Sequence, residues 1–193
     1  MGFLPFLLRL RRRAPSASAA ICSLAESVVG VAEKTQNRGV DVDFFVSLGG
    51  GRPSASPPWC AFFVSAMCEL VARVGHRVRF VRTGRAVAHW QLAEADQRIE
   101  RDDIDKIDSV EGLVFVRTRL SRPVSDRERA LAGKQTQGHT GIVIRREGSA
   151  LIAVAGNSTG RGHASRTGGV AIERLEPGSK AWDRIVGFVR VVS

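Results

Sequence analysis

The 193-residue sequence contains no tyrosine, and Phe and Trp together make up only 6% of it. A surface that holds single-stranded nucleic acid by stacking bases on aromatic rings is therefore disfavoured. Cysteine is scarce and odd in number: Cys22, Cys60 and Cys68 form no CxxC pair. That excludes a zinc ribbon and a disulfide framework and leaves at least one thiol free. No stretch approaches the roughly 18 uninterrupted apolar residues of a membrane-spanning helix. Acidic residues are the minority, 19 against 29 Lys+Arg, for a net charge of +10. Such an excess draws phosphate, teichoic or lipid polyanions, which names a class of partner and not a fold. With 44% hydrophobic and 25% charged residues, the composition is that of one ordinary folded domain rather than a disordered chain or a repeat array.

The apolar run Phe3 to Leu8 is broken by Pro5 and followed by Arg9, Arg11, Arg12 and Arg13. This inverts the order of a secretory signal, whose charges come first. Residues 1–20 thus read as a basic tail and linker, one that either makes peripheral contact with an anionic membrane surface or reflects the choice of start codon. The domain is expected over 21–193. Apolar residues recur at helical spacing from Ile21 to Glu33, and Thr35 to Gly39 interrupts them as a loop. A second helix is expected over Val40 to Leu48. After the flexible Gly49 to Pro58, the segment Trp59 to Val74 is apolar on nearly every side and reads as a buried central helix, started by two prolines. A strand at Val78 to Val81, a helix around Ala86 to Ala95 and a strand at Leu113 to Thr118 follow. The last third alternates as sheet: Gly141 to Arg145, Leu151 to Ala155, Val170 to Glu173 and Ile185 to Val192. Helices first and an antiparallel sheet after them make an α+β layout.

Cys60 falls in the first turn of the central helix, where free backbone N–H groups and the positive end of the macrodipole lower a thiol pKa. It reads either as a reactive nucleophile or as one more small core hydrophobe like Cys68. His139 lies where the small, polar stretch Thr136 to Gly141 enters a strand, so its ring is open to act as a base, or merely sits at the surface. Asn157 follows Ala155 and Gly156 at the far end of the returning strand. If the hairpin loop is Glu147-Gly148-Ser149, Arg146 faces Ala150 and His139 lies across from Asn157 with both side chains on one face. Gly141, Ala153 and Ala155 then share that face, small enough to admit a packed helix, and Ile142, Ile144, Ile152 and Val154 fill the other. A two-residue turn would separate His139 from Asn157.

These residues resemble the CHAP and NlpC/P60-like branch of the papain-like cysteine hydrolases, which cut peptidoglycan peptides. The likeness rests on Pro58-Trp59-Cys60-Ala61-Phe62-Phe63-Val64-Ser65, on Gly138-His139-Thr140-Gly141-Ile142-Val143 and on Gly156-Asn157-Ser158. Asn37-Arg38-Gly39 before the cysteine motif and Ala86 to Trp90 after it are similar to a small phage-associated and bacterial subgroup. The resemblance spans roughly residues 25–190. It implies a papain-like α+β domain with a nucleophile helix packed on the sheet. It also implies that Cys60 is the nucleophile, that His139 is the general base and acid, and that Asn157 orients the imidazole. Trp59, Asn37 and Gly138 are expected beside the substrate. Two departures stand out. Many relatives carry an acid two positions before the asparagine, where this chain has Ala155, and Glu111-Gly112-Leu113 replaces a frequent Pro-Gly-Asp.

The activity implied is a peptidoglycan amidase or endopeptidase working through a thioester, in phage lysis, wall remodelling or antibacterial attack. Its partners would be peptidoglycan peptides, with anionic envelope polymers held by the basic surface, and it would stay in the cytoplasm until released to the periplasm or wall. Two alternatives are a catalytically inactive wall-binding domain of the same fold and a basic nucleic-acid-binding module. The scattered arginines form no docking motif, so specific nucleic-acid binding is not expected. No cofactor or metal is expected either. Cys60, His139 and His163 lack paired ligand spacing, and Asp102, Asp103, Asp105 and Asp108 lack the glycine and terminal Glu of a calcium loop.

Overall fold

The computed structural model describes residues 15–119, 123–134, 137–159 and 168–192. Residues 1–14 of the basic tail and His163 lie outside the described residues.

Helix α1 (Ala17–Ser27) starts earlier than the sequence pattern implies. Ser16 caps it, its Oγ accepting the Ala19 N–H at 3.1 Å, and Ala17 and Ala20 are small enough to be buried against the core. The segment that reads as linker therefore supplies the first helical turn. Helix α2 (Val40–Leu48) carries Asp41 and Asp43 in its first turn, where carboxylates complement the helix dipole. Helix α3 (Cys60–Arg73) follows Pro57 and Pro58 and buries residues on most of its circumference. Helix α4 (Ala86–Gln91) ends short of Ala95, and the expected strand at 78–81 shrinks to a single bridge between Val78 and Val192. The acidic stretch forms a 3-10 helix over Arg101–Lys106. Helices α5 (Pro123–Leu131) and α6 (Lys180–Asp183) complete the set among the described residues.

Six strands form one antiparallel sheet: β1 (Arg98–Glu100), β2 (Leu113–Thr118), β3 (Gly138–Glu147), β4 (Ala150–Ser158), β5 (Gly169–Leu175) and β6 (Ile185–Arg190), in the order β1-β6-β2-β3-β4-β5. The architecture is α+β, with β2 and β3 at the centre of the sheet and β4 next to the edge strand β5.

Helices α1 to α5 lie on one face of the sheet, over Val114, Val116, Ile142, Ile144, Ile152 and Val154. Leu113, Phe115, Val143, Ala153 and Ala155 line the other face, beneath Ile104 of the 3-10 helix and Trp182. This corrects the expectation that the small Ala153 and Ala155 admit the helix. Helix α3 instead seats on the branched side chains and makes its closest approach at Gly156. A Cβ there would lie 2.5 Å from Cζ3 of Trp59 and 2.7 Å from Cβ of Phe63. Phe45, Trp59 and Phe63 pack as a buried aromatic trio above that point.

Replacing Gly156 with Ala should therefore destabilise the fold by about 1–3 kcal/mol through over-packing. The urea midpoint should fall with no change in slope. An unaltered midpoint would mean that α3 does not rest on β4 as described.

Candidate active site

Cys60 is the first residue of α3, so its sulfur lies among N–H groups that have no intrahelical acceptor. The His139 imidazole, the Thr140 backbone amide and the Arg119 guanidinium all act on the thiol. Burial alone would raise its pKa. The bond and charge of His139, the Arg119 guanidinium and the Thr140 amide outweigh burial and hold the thiol below its ordinary value.

His139 is the second residue of β3, paired across the sheet with Arg117, and its ring lies against Phe115 at a centroid distance of 5.9 Å. Gly138 before it has no room for a side chain, because the Arg117 carbonyl and a Val87 methyl occupy the Cβ position. The ring is almost wholly buried. Its Nε2 is 2.7 Å from Oε1 of Glu173 on β5. Ser158 Oγ donates to the same oxygen at 2.6 Å, and Arg117 Nη2 reaches the other at 2.8 Å. An Nε2–H held by a carboxylate leaves Nδ1 for the sulfur; Arg119 Nη2 approaches Nδ1 at 3.4 Å. Burial pushes the His139 pKa down, but the Glu173 charge and the Cys60 contact push it further up, above the ordinary histidine value. Glu173 falls to about 2, because His139, Arg117 and Ser158 outweigh the cost of burying its charge. A lowered thiol beside a raised imidazole favours the thiolate–imidazolium pair.

The hairpin reaches this geometry by a route that the sequence did not disclose. Its turn has two residues, Gly148 and Ser149, and Glu147 faces Ala150. A bulge at Ile144 then restores the expected alignment, so that Ile142 faces Val154 and Val143 faces Ala153. A second irregularity falls between Ala155 and Ser158, where Asn157 adopts a left-handed φ of 53°. Its side chain turns to Asn37, Nδ2 donating to Oδ1 at 3.3 Å. The partner of the imidazole is thus Glu173, where Asn157 was expected, although Asn157 lines the same cavity.

Asn37 and Trp59 also differ from expectation. Asn37 donates from Nδ2 to the Ser56 carbonyl and from its backbone N–H to Glu33, and it lines neither cavity of the site. Trp59 is fully buried and donates Nε1–H to Glu33 Oε1 at 2.7 Å. Both fasten the approach to α3, and neither walls a groove. Gly138 does line the thiol-side cavity.

Two cavities of about 510 Å³ each flank the pair. One is bounded by Pro57, Pro58, Cys60, Phe62, Arg85 and Gly138. The other lies on the imidazole side, bounded by Arg117, Thr118, His139, Glu173, Lys180 and Arg184, and Arg119 lines both. The residues that the sequence reading missed are Glu173, Ser158 and Arg119. The signal for Glu173 was a lone acid in the apolar strand Val170-Ala171-Ile172-Glu173, facing Ala153 across β4. Among the described residues, no cluster of three or more His, Cys, Asp or Glu side chains is placed to hold a metal ion. No helix there is long and apolar enough to cross a membrane.

No family model, no curated protein and no solved structure matches this chain.

Glu173→Gln should raise the Cys60 pKa and lower that of His139. In iodoacetamide alkylation, the reactive limb should then move towards the pH of an ordinary thiol, whereas Asn157→Ala leaves it in place. Cys22 and Cys68 are buried with raised pKa values and do not compete. The Glu173 pKa lies below the usual 4.5, so its stabilisation is complete above that pH and is lost as pH falls towards 2. The Gln variant should lack an acid-labile contribution on the order of 3 kcal/mol. A shift with Asn157→Ala and none with Glu173→Gln would reverse the assignment.

Proposed function

We propose that this chain is a cysteine hydrolase of papain-like layout, with Cys60 as nucleophile, His139 as general base and acid, and Glu173 positioning the ring. The observation that carries the reading is the buried His139–Glu173 hydrogen bond at the mouth of α3, where the imidazole also lowers the Cys60 pKa. Within that class, the PWCA-type, GHTG and GNS motifs support a peptidoglycan amidase or endopeptidase of the CHAP and NlpC/P60-like kind. The acid that relatives carry at the place of Ala155 has a counterpart here in Glu173 from the neighbouring strand, and this favours an active site over an inert scaffold.

In the reaction, the Cys60 thiolate attacks the carbonyl carbon of a peptide amide. The resulting oxyanion is stabilised by the Cys60 N–H at the helix mouth and by a second donor. Protonated His139 gives its Nδ1 proton to the departing nitrogen as the C–N bond breaks, which leaves a thioester. Water then attacks the thioester while His139 removes its proton, releasing a carboxylic acid and restoring the thiolate–imidazolium pair. Throughout, the buried Glu173 carboxylate fixes the Nε2–H tautomer and balances the imidazolium charge. The +10 charge would bring the enzyme to anionic envelope polymers, so that it acts in the periplasm or wall after release.

Cys60→Ala should cut release of muropeptides from purified Gram-negative or Gram-positive sacculi by about 10⁴-fold or more, with the circular-dichroism spectrum retained. Mass spectrometry of the products identifies the bond broken. Cleavage that persists in this variant would end the hydrolase reading.

A further inference from the structure

The reaction needs a second donor at the oxyanion, and the polar side chains behind the thiol are already committed. Asn37 Nδ2 donates to the Ser56 carbonyl, Asn157 Nδ2 donates to Asn37, and Trp59 Nε1–H donates to Glu33. Arg119 is not committed in this way. It follows β2, whose last residue, Thr118, pairs with Gly138 beside the histidine. Its side chain is exposed and forms no ion pair with a carboxylate among the described residues. Yet its Nη2 lies 3.4 Å from His139 Nδ1, the nitrogen left for the sulfur. Among the described residues Arg119 alone lines both cavities, so an amide held across the thiol and reaching into each lies against the guanidinium.

Charge balance points the same way. In the thiolate–imidazolium state Glu173 offsets Arg117 and the thiolate offsets the imidazolium, which leaves the Arg119 guanidinium as the cation in excess. Imidazolium Nδ1 carries a proton and offers no lone pair, so the Arg119 N–H groups are left for another acceptor. When the sulfur pair forms the S–C bond, the carbonyl π pair moves to oxygen, and the negative charge passes from sulfur to that oxygen. A planar guanidinium with five N–H donors can follow the charge from one atom to the other.

We propose that Arg119 is a catalytic residue whose N–H groups, together with the Cys60 N–H, hold the oxyanion of the tetrahedral intermediate. This rests on the hydrolase reading and names the donor which that reading leaves open. Arg85 also lines the thiol-side cavity but does not border the imidazole side, whereas Arg119 is the guanidinium that acts on the thiol.

The test sets two reactions of the Cys60 thiol side by side. Iodoacetamide alkylates the thiolate by displacing iodide and forms no oxyanion. 4-Nitrophenyl acetate acylates it through one: the S–C bond forms, the carbonyl pair moves to oxygen, and its return expels coloured 4-nitrophenolate. Cys60→Ala supplies the background of each reaction, and alkylation across pH corrects for the thiolate fraction. Arg119→Gln should lower the acylation rate constant by about tenfold or more beyond any change in alkylation. Arg119→Lys should lower it less, because it keeps the charge and loses the fork. The side chain is exposed, so both variants should keep the wild-type urea midpoint. Equal losses in acylation and alkylation would reduce Arg119 to a stabiliser of the thiolate and overturn the proposal. So would unchanged acylation, the absence of any Cys60-dependent acylation in the parent protein, or a loss in Arg85→Gln in place of Arg119→Gln. Failure of the hydrolase reading shows itself separately, as undiminished sacculus cleavage by Cys60→Ala.

Discussion

The bond between His139 and Glu173 decides what the buried site can be, and comparison of equivalent side chains within the chain shows how much it changes. His89 and His139 are both buried histidines. Around His89 desolvation goes almost unopposed, a contact with the Ala61 backbone being the only counterweight, and its pKa falls to about 4. Around His139 the same desolvation acts, yet the pKa rises, because a carboxylate 2.7 Å away stabilises the charged ring. Without an acid at that point the second imidazole would behave like the first, neutral at physiological pH and unable to pair with a thiolate. The carboxylate is itself tenable in a buried place only because Ser158 and Arg117 occupy its remaining acceptor positions.

The three cysteines make the same point from the other side. All are buried. Burial drives Cys22 to about 12 and raises Cys68 well above the ordinary thiol range. Cys60 moves the opposite way because it alone combines a helix start with an imidazole, a guanidinium and a strand amide. Cys60 and Cys68 belong to one helix and are both buried. The difference between a lowered and a raised thiol is therefore made by what the sheet presents to the first turn.

That contrast explains which parts of the molecule were legible in the sequence. The spacing of Val40 to Leu48, the apolar face-all-round pattern after Pro57-Pro58 and the alternation from Leu113 to Thr118 each specify an element through local chemistry, and those elements stand where the pattern puts them. Start signals made of small residues carried less information: Ser16 and the alanines after it read as linker although they cap and begin α1. The hairpin was legible as a hairpin, but its two-residue turn and the bulge at Ile144 offset one another in alignment. Counting along one strand finds the net alignment and not the two irregularities. Asn157 was misjudged for a related reason, since a left-handed backbone at one residue rotates the side chain out of the alternation on which the counting depends. Glu173 was hardest to see. It acts from β5 across β4, and only the sheet order brings β5 within reach of β3.

Asn37, Asn157, Glu33 and Trp59 then take on a different meaning from the one their motifs suggest. Glu33 receives the Trp59 indole N–H and the Asn37 backbone N–H, and Asn37 joins Asn157 to the Ser56 carbonyl. The loop after α1, the chain leading into α3 and the end of β4 are tied together just behind the thiol. A nucleophile at a helix start is only as well placed as that helix start, and the Pro57-Pro58 approach makes few ladder hydrogen bonds of its own. Side chains held in these hydrogen bonds supply the missing constraint at modest entropic cost, because Asn and Trp have few rotatable bonds to immobilise. Asn37, Asn157, Glu33 and Trp59 thus hold the frame in which Cys60, His139 and Glu173 meet, and an acid on another strand can contact the imidazole without disturbing that frame.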